Sequence, residues 1–234
     1  MFRKIPSQEM GRSQKGWLNS WFHFSFAEYY DPLNMQFGAL RVINDDVIEP
    51  GTGFETHPHQ DMEIITYVID GELTHGDSME NHATLRRGQV QYMSAGTGVF
   101  HHEVNEGDSP LRLLQIWVLP DKKGHTPRYG EYRFPWEDRK DRWFHLVSCA
   151  DGKAPIRIHQ DMNIYVTDLE KQKTLEFEAR PGRQVYLVVM EGDADIGSAS
   201  LAARDAAEAI EEDLFIRTDT GCHMLLFEMA KPKT

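Results

Sequence analysis

The chain has 234 residues, 40% of them hydrophobic, enough for one or two well-buried cores. Its 37 acidic residues outnumber 25 lysines and arginines, giving a formal charge of −12, which argues against nonspecific binding to nucleic acid or to an anionic membrane. The two cysteines, Cys149 and Cys222, match no CxxC pattern and imply no disulfide framework.

The stretch Met1-Phe2-Arg3-Lys4-Ile5-Pro6-Ser7 lacks the apolar core of a signal peptide, and no run of 18 apolar residues follows. The expectation is a soluble protein of the reducing cytoplasm. Residues 16–38 are rich in aromatics, among them Trp17, Trp21, Phe22, Phe24, Phe26, Tyr29, Tyr30 and Phe37, and read as a leading strand and loop covering a barrel. Some of these rings are candidates for a ligand-pocket wall, with Phe22, Phe24 and Phe26 sharing one parity. His23 alternates with them and reads as structural.

Residues 39–48 begin as a strand and run into the turn signal Glu49-Pro50-Gly51. Residues 62–69 are β-branched and aromatic, hence a strand, and Asp70-Gly71 is a hairpin turn. Short strands are expected near Glu72–His75, Ala83–Leu85 and Gln89–Met93. Ser94-Ala95-Gly96-Thr97-Gly98 reads as a loop, and residues 111–118 as a clear strand. From Pro120 to Trp136 prolines, glycines and charges accumulate. The domain junction is placed there, giving domains 1–125 and 126–234. The β rhythm then resumes at Ile156–Ile158, Ile164–Thr167, Leu175–Phe177, Gln184–Val189 and Met224–Met229. Residues 199–212 are helix-leaning by propensity, but their setting in a β domain favours strand and turn.

Tyr67-Val68-Ile69-Asp70-Gly71-Glu72 is echoed by Val188-Val189-Met190-Glu191-Gly192-Asp193, 121 residues on. That shift puts Glu178 where His57 stands and Arg180 where His59 stands. The second half therefore reads as the same unit without its site. Many short strands, given twice, predict an all-β protein of two tandem jelly-roll barrels, the second degenerate.

The chemistry concentrates in His57-Pro58-His59 and His101-His102-Glu103. On a strand, residues i and i+2 face the same way. So His57 and His59 can point inward from one strand, and His101 and Glu103 from another, a set of three imidazoles and a carboxylate suited to a divalent transition metal. Glu63 shares the parity of the first pair and is a rival carboxylate. His102 should face outward. His75, His82, His125, His145, His159 and His223 lack a partner at ligand spacing and read as surface or core residues.

Gly51-x5-His57-x-His59-x3-Glu63 followed by Gly71 resembles the first cupin motif, and Gly98-x2-His101-x3-Asn105 the end of the second. Glu63 to Gly71 is one residue longer than the usual pattern, and the second motif's proline is replaced around Ser94–Gly96. Those departures resemble the pirin family. So do Gly16-Trp17-Leu18-Asn19-Ser20, Phe24-Ser25-Phe26, Tyr30-Asp31-Pro32, Leu40-Arg41-Val42-Ile43-Asn44, Thr56-His57-Pro58-His59 and Met93-Ser94-Ala95-Gly96-Thr97-Gly98. The resemblance implies a bicupin similar to bacterial pirin-like quercetin 2,3-dioxygenases. Its metal would be held by His57, His59, His101 and Glu103, with iron(II) first and nickel, copper, cobalt, manganese or zinc as alternatives. It further implies a flavonol and dioxygen as substrates, with Glu103 as candidate catalytic base and Phe22, Phe24, Phe26, Met93 and Trp117 as candidate wall residues. The other implied role is non-enzymatic: a metal-dependent redox sensor that docks on a transcriptional or metabolic protein partner. A sugar-phosphate isomerase is disfavoured, since only Arg86, Arg87 and Arg112 lie near the motifs in sequence.

Overall fold

The computed structural model describes residues 1–232. The chain divides into two compact units, residues Gly11–Phe134 and, in the other, Met1–Met10 together with the chain from Pro135 onward. Among the described residues the helical content is two short 3-10 turns, Ser7–Glu9 and Trp136–Arg139, and no helix is long and apolar enough to cross a membrane.

The first twelve strands are β1 (Phe2–Ile5), β2 (Gly11–Gln14), β3 (Leu18–Phe22), β4 (Leu40–Ile48), β5 (Thr52–His59), β6 (Glu63–Asp70), β7 (Glu72–Asp77), β8 (His82–Arg86), β9 (Val90–Ser94), β10 (Val99–Asn105), β11 (Leu111–Val118) and β12 (Arg128–Tyr132). In the Gly11–Phe134 unit they form two sheets, a seven-stranded one in the order β12-β9-β6-β11-β4-β3-β2 and a four-stranded one in the order β5-β10-β7-β8. All their pairings are antiparallel. The two inner faces close on each other as a jelly roll.

The interior is layered. Leu18, Ile48, Val68, Leu73, Leu85 and Leu113 build one apolar layer from strands of both sheets. Ile64, Met93 and Val99, with Trp117 and Tyr129 against them, build another. Along β6 the inward positions run Ile64, Thr66, Val68, and along β11 they run Trp117, Gln115, Leu113, so one polar layer lies between two apolar ones. Burial of apolar area at about 25 cal/mol per Å2 makes the flanking layers the main local source of stability.

The remaining strands are β13 (Phe144–Cys149), β14 (Ile156–Ile158), β15 (Met162–Leu169), β16 (Lys173–Phe177), β17 (Arg183–Ile196), β18 (Ala199–Ala202), β19 (Ala206–Ile210), β20 (Leu214–Thr218) and β21 (Cys222–Ala230). With β1 they form a ten-stranded assembly whose spine is β1-β19-β17-β21-β15-β13-β14. Its core gathers Leu187, Val189, Leu201, Leu214, Met224 and Leu226. The helix-leaning stretch 199–212 is β18, a turn and β19, because pairing with β17 and β1 overrides the propensity of its alanines. The internal echo has a structural counterpart in Gly71 and Gly192. Both have positive φ (81° and 75°), and a Cβ at either would strike backbone at the start of a neighbouring strand, Pro110–Leu111 or Gly221–Cys222. Glu178 and Arg180 lie outside any strand, just after β16.

The boundary expected between residues 125 and 126 is displaced. β12 pairs with β9, which keeps residues 128–132 in the first sheet system. β1 pairs with β19, which draws the N-terminal residues into the other unit. Ser7 N–H and Lys4 Nζ both reach the Asp205 carboxylate, at 2.8 and 2.9 Å, and hold that strand in place. The aromatic segment also differs from the expected cover, since β3 is hydrogen-bonded between β2 and β4.

Two measurements test this architecture. Removal of residues 1–5 should open the β19 edge and lower the Tm, a loss of about 1 kcal/mol moving it by ~4–8 °C in a unit of this size. His23 is fully buried, and burial pushes its imidazole down to about 4, with Asp45 opposing. The unfolded chain protonates this group near its ordinary 6.5, the folded chain only near 4, so unfolding takes up a proton between those values. Stability should therefore fall as pH drops from about 6.5 to about 4, by about 3 kcal/mol from this group, and His23→Phe should flatten that part of a Tm-versus-pH profile.

Candidate metal centre

β5 and β10 pair so that His101 stands opposite His57 and Val99 opposite His59. A bulge follows, since Glu103 pairs with Phe54, leaving two β5 residues opposite His102 alone. The rings of His57, His59 and His101 lie with centroids 4.5 to 4.8 Å apart, and their ligand nitrogens fall within 4.8 Å of one another. His57 Nδ1–H donates to the Glu55 carbonyl at 2.7 Å, which leaves Nε2 as the lone-pair nitrogen. That Nε2 is 3.0 Å from His101 Nε2. Burial, helped by the neighbouring imidazoles, pushes His59 and His101 down to about 3, so both are neutral at ordinary pH. Neutral imidazole is the ligating form.

Glu103 does not share that tight cluster. Its carboxylate groups with His101 and His75 within 4.8 Å, so His101 belongs to both sets. Glu103 is 2% exposed, and burial pushes its carboxyl up, opposed by His75, Thr66, His57 and Gln115. Gln115 Nε2 donates to Oε2 at 2.6 Å, Gln91 Nε2 donates to Oε1, and the Thr66 hydroxyl lies 3.1 Å from Oε1. These donors come from one cross-strand row of the facing sheet, in which Gln91 pairs with Thr66, Thr66 with Gln115 and Gln115 with Asn44.

His75 is the site residue that spacing missed. It stands opposite Glu103 on β7, is fully buried, donates from Nε2 to Asp77 at 3.2 Å and stacks on Tyr129 at 4.5 Å. It is in the core, as expected, but that core is the wall of the site. The rival Glu63 faces the other way on β6 from Thr66, where the Tyr92 hydroxyl and the Ser94 hydroxyl donate to it at 2.5 and 2.6 Å. His102 lies over Gly76, on the opposite side of its sheet from His101.

A cavity of about 620 Å3 opens onto this cluster. Its walls include His57, His59 and Glu103, four aromatic residues (Trp17, Phe26, Phe54, Trp117) and the polar side chains of Asn44, Asp46 and Gln115. Trp117 packs edge-on against His59 at 4.8 Å and against Phe26 at 5.4 Å. Of the five wall candidates read from sequence, Phe26 and Trp117 line the cavity. Phe22 and Phe24 are buried away from it, Phe22 backing Phe26 at 5.5 Å, and Met93 packs in the apolar layer with Ile64. Trp17 and Phe54, 5.4 Å apart, take their places.

The donor set fits a divalent metal. Two imidazole nitrogens 3.0 Å apart, one committed as a lone pair, have a shared cation between them as a natural partner, and nitrogen with carboxylate oxygen suits first-row transition metals. Among the described residues, both groups able to hold an ion lie in the Gly11–Phe134 unit. Two jelly-roll units with the ligand cluster in one define a bicupin. The pirin family model matches residues 5–118, and a model described as the quercetinase C-terminal cupin domain matches residues 145–229. A quercetin 2,3-dioxygenase of Escherichia coli K12 is 42% identical over 226 residues, covering 95% of this chain and 96% of its own. A pirin-like protein of Caulobacter vibrioides is 41% identical over 213 residues, covering 91% and 92%. The crystal structure of the E. coli pirin YhhW in complex with nickel(II) superposes with a TM-score of 0.91 at 40% identity, covering 99% of this chain and 100% of its own. The chain belongs to the pirin family.

Gln115→Leu would leave a buried carboxylate oxygen without its donor. The expected cost is about 1–3 kcal/mol in denaturant unfolding, with the m-value unchanged.

Proposed function

We propose that this protein is a metal-dependent dioxygenase that opens the central ring of a flavonol such as quercetin. Dioxygen adds both atoms to the ring system and one carbon leaves as carbon monoxide. The observation that carries this reading is the cluster of His57, His59 and His101, two of them in the wall of a cavity of about 620 Å3 that four aromatic residues also line. Its relatives' names point the same way.

His57, His59, His101 and Glu103 would hold the ion, with iron(II) the first candidate and nickel, copper, cobalt, manganese or zinc the alternatives. When bound, the ion supplies Lewis acidity that lowers the pKa of a ligating hydroxyl. The chain's own groups do the rest. Trp117 and Phe26, packed edge-to-face on each other, give the cavity an apolar wall against which a flat ring can lie and from which water is excluded. Glu103 is the carboxylate that accepts the flavonol 3-hydroxyl proton, and the donors from Thr66, Gln91 and Gln115 fix where that oxygen sits. Dropping any of them should loosen the ion as well, as loss of an outer hydrogen bond typically costs ~10–100-fold in affinity.

The test combines metal analysis of the protein as isolated with an oxygen electrode. Flavonol-dependent oxygen uptake should follow metal content and disappear in His59→Ala, which should also retain less metal. Undiminished uptake by a metal-free His59→Ala protein would refute the proposal.

A further inference from the structure

Two cavity-wall side chains take no part in holding the histidines or Glu103. Asn44 and Asp46 are i and i+2 on β4, so both point to the inner face, and both line the cavity. They are 3% and 2% exposed. Ser20 hydrogen-bonds the Asp46 carboxyl, yet Asp46 Oδ1 and Asn44 Oδ1 are buried with no protein donor in reach. Their neighbour Gln115 differs, since its Nε2 is committed to Glu103. A buried acceptor left without a donor is costly, and two on adjacent inward positions of one cavity wall match a ligand that brings hydroxyl groups.

Their place along the sheet adds a second constraint. On β11, Trp117 pairs with Val42, Gln115 with Asn44 and Leu113 with Asp46. The row of Asp46 is therefore four residues, roughly 13 Å, from the row of Trp117, the ring that packs on His59. A ligand that reaches both must be longer than one aromatic ring. Burial pushes the Asp46 carboxyl up, with Ser20 opposing and Asp45 and Glu103 adding to the effect, so a charged acceptor is disfavoured there unless a donor arrives.

We propose that Asn44 and Asp46 form a hydroxyl-recognition subsite that selects extended planar aromatic ligands bearing several hydroxyl groups over those bearing one. This rests on the flavonol reading above and assigns its selectivity to two residues. A site whose buried polar atoms await a ligand hydroxyl discriminates against the analogue that lacks it, because those atoms then stay unpaired.

The experiment compares quercetin, which is polyhydroxylated, with 3-hydroxyflavone, which keeps only the hydroxyl beside the carbonyl. Binding to the metal-loaded protein is read anaerobically by tryptophan quenching, and oxygen uptake is measured in parallel. Wild-type protein should bind quercetin more tightly by at least about tenfold. Asn44→Leu and Asp46→Leu should each shrink that ratio to about threefold or less, mainly by weakening quercetin, with metal content unchanged. Melting curves check that each variant folds, since Asp46→Leu also removes the acceptor of Ser20. The wild-type comparison stands whether or not either variant folds. A wild-type ratio near one overturns the subsite, as does a ratio that survives in folded variants. Hydroxyl-dependent binding without oxygen uptake upholds the subsite and refutes the oxygenase. Uptake without hydroxyl preference refutes the subsite alone.

Discussion

The carboxylate of Glu103 is the point on which the first unit turns. It is buried, and a buried carboxylate persists only when donors surround it. Gln91, Thr66 and Gln115 supply them, each from a different strand of the facing sheet. The interaction thus locks β10 to β9, β6 and β11 in one register, because a slip of a single residue would turn every one of these side chains to the other face. The same register puts His101 opposite His57. Sheet closure and ligand geometry therefore share a single set of hydrogen bonds.

Layering explains how such a polar set survives in a core. The leucine and valine layer on one side and the Ile64, Met93 and Val99 layer on the other exclude water from the donors. In that low-dielectric setting each hydrogen bond is stronger, and each unmet group more costly. The cavity opens onto this layer, and two buried side-chain oxygens without a protein donor, Asn44 Oδ1 and Asp46 Oδ1, belong to residues of its wall. Fold stability and ligand selectivity draw on the same row of the sheet.

Much of this was legible from the sequence. Period-two spacing in His57-Pro58-His59 and in His101-His102-Glu103 is local, and local signals survive into the structure. Two tandem β units followed from strand rhythm and from the repeat around Gly71 and Gly192. The cross-strand row was not legible. Thr66, Gln91 and Gln115 are each a single polar residue in an otherwise apolar strand, and only long-range pairing shows that the three align. The available signal was that same oddity, a lone threonine or glutamine where a buried strand favours valine. His75 escaped for a related reason, since its neighbours in space, Glu103 and His101, are set by register and not by spacing. β19, with its Ala206-Ala207-Glu208-Ala209-Ile210 sequence, has little intrinsic preference for a strand, and pairing with β17 and β1 decides its state.

The placement of β1 bears on how the chain is assembled. Arg3 and Glu208 meet across 205 positions, and among the described residues β1 pairs with β19 alone. During synthesis Phe2–Ile5 emerges long before β19, the strand it pairs with. The unit that holds the ligand cluster can close while β1 waits, since all its strands lie between residues 11 and 134. The other unit cannot finish until β19 leaves the ribosome. Contacts of such separation slow folding and leave a strand edge unprotected meanwhile. The topology thus permits one order of maturation in particular: the cavity can be complete before the chain's two distant segments are fastened together.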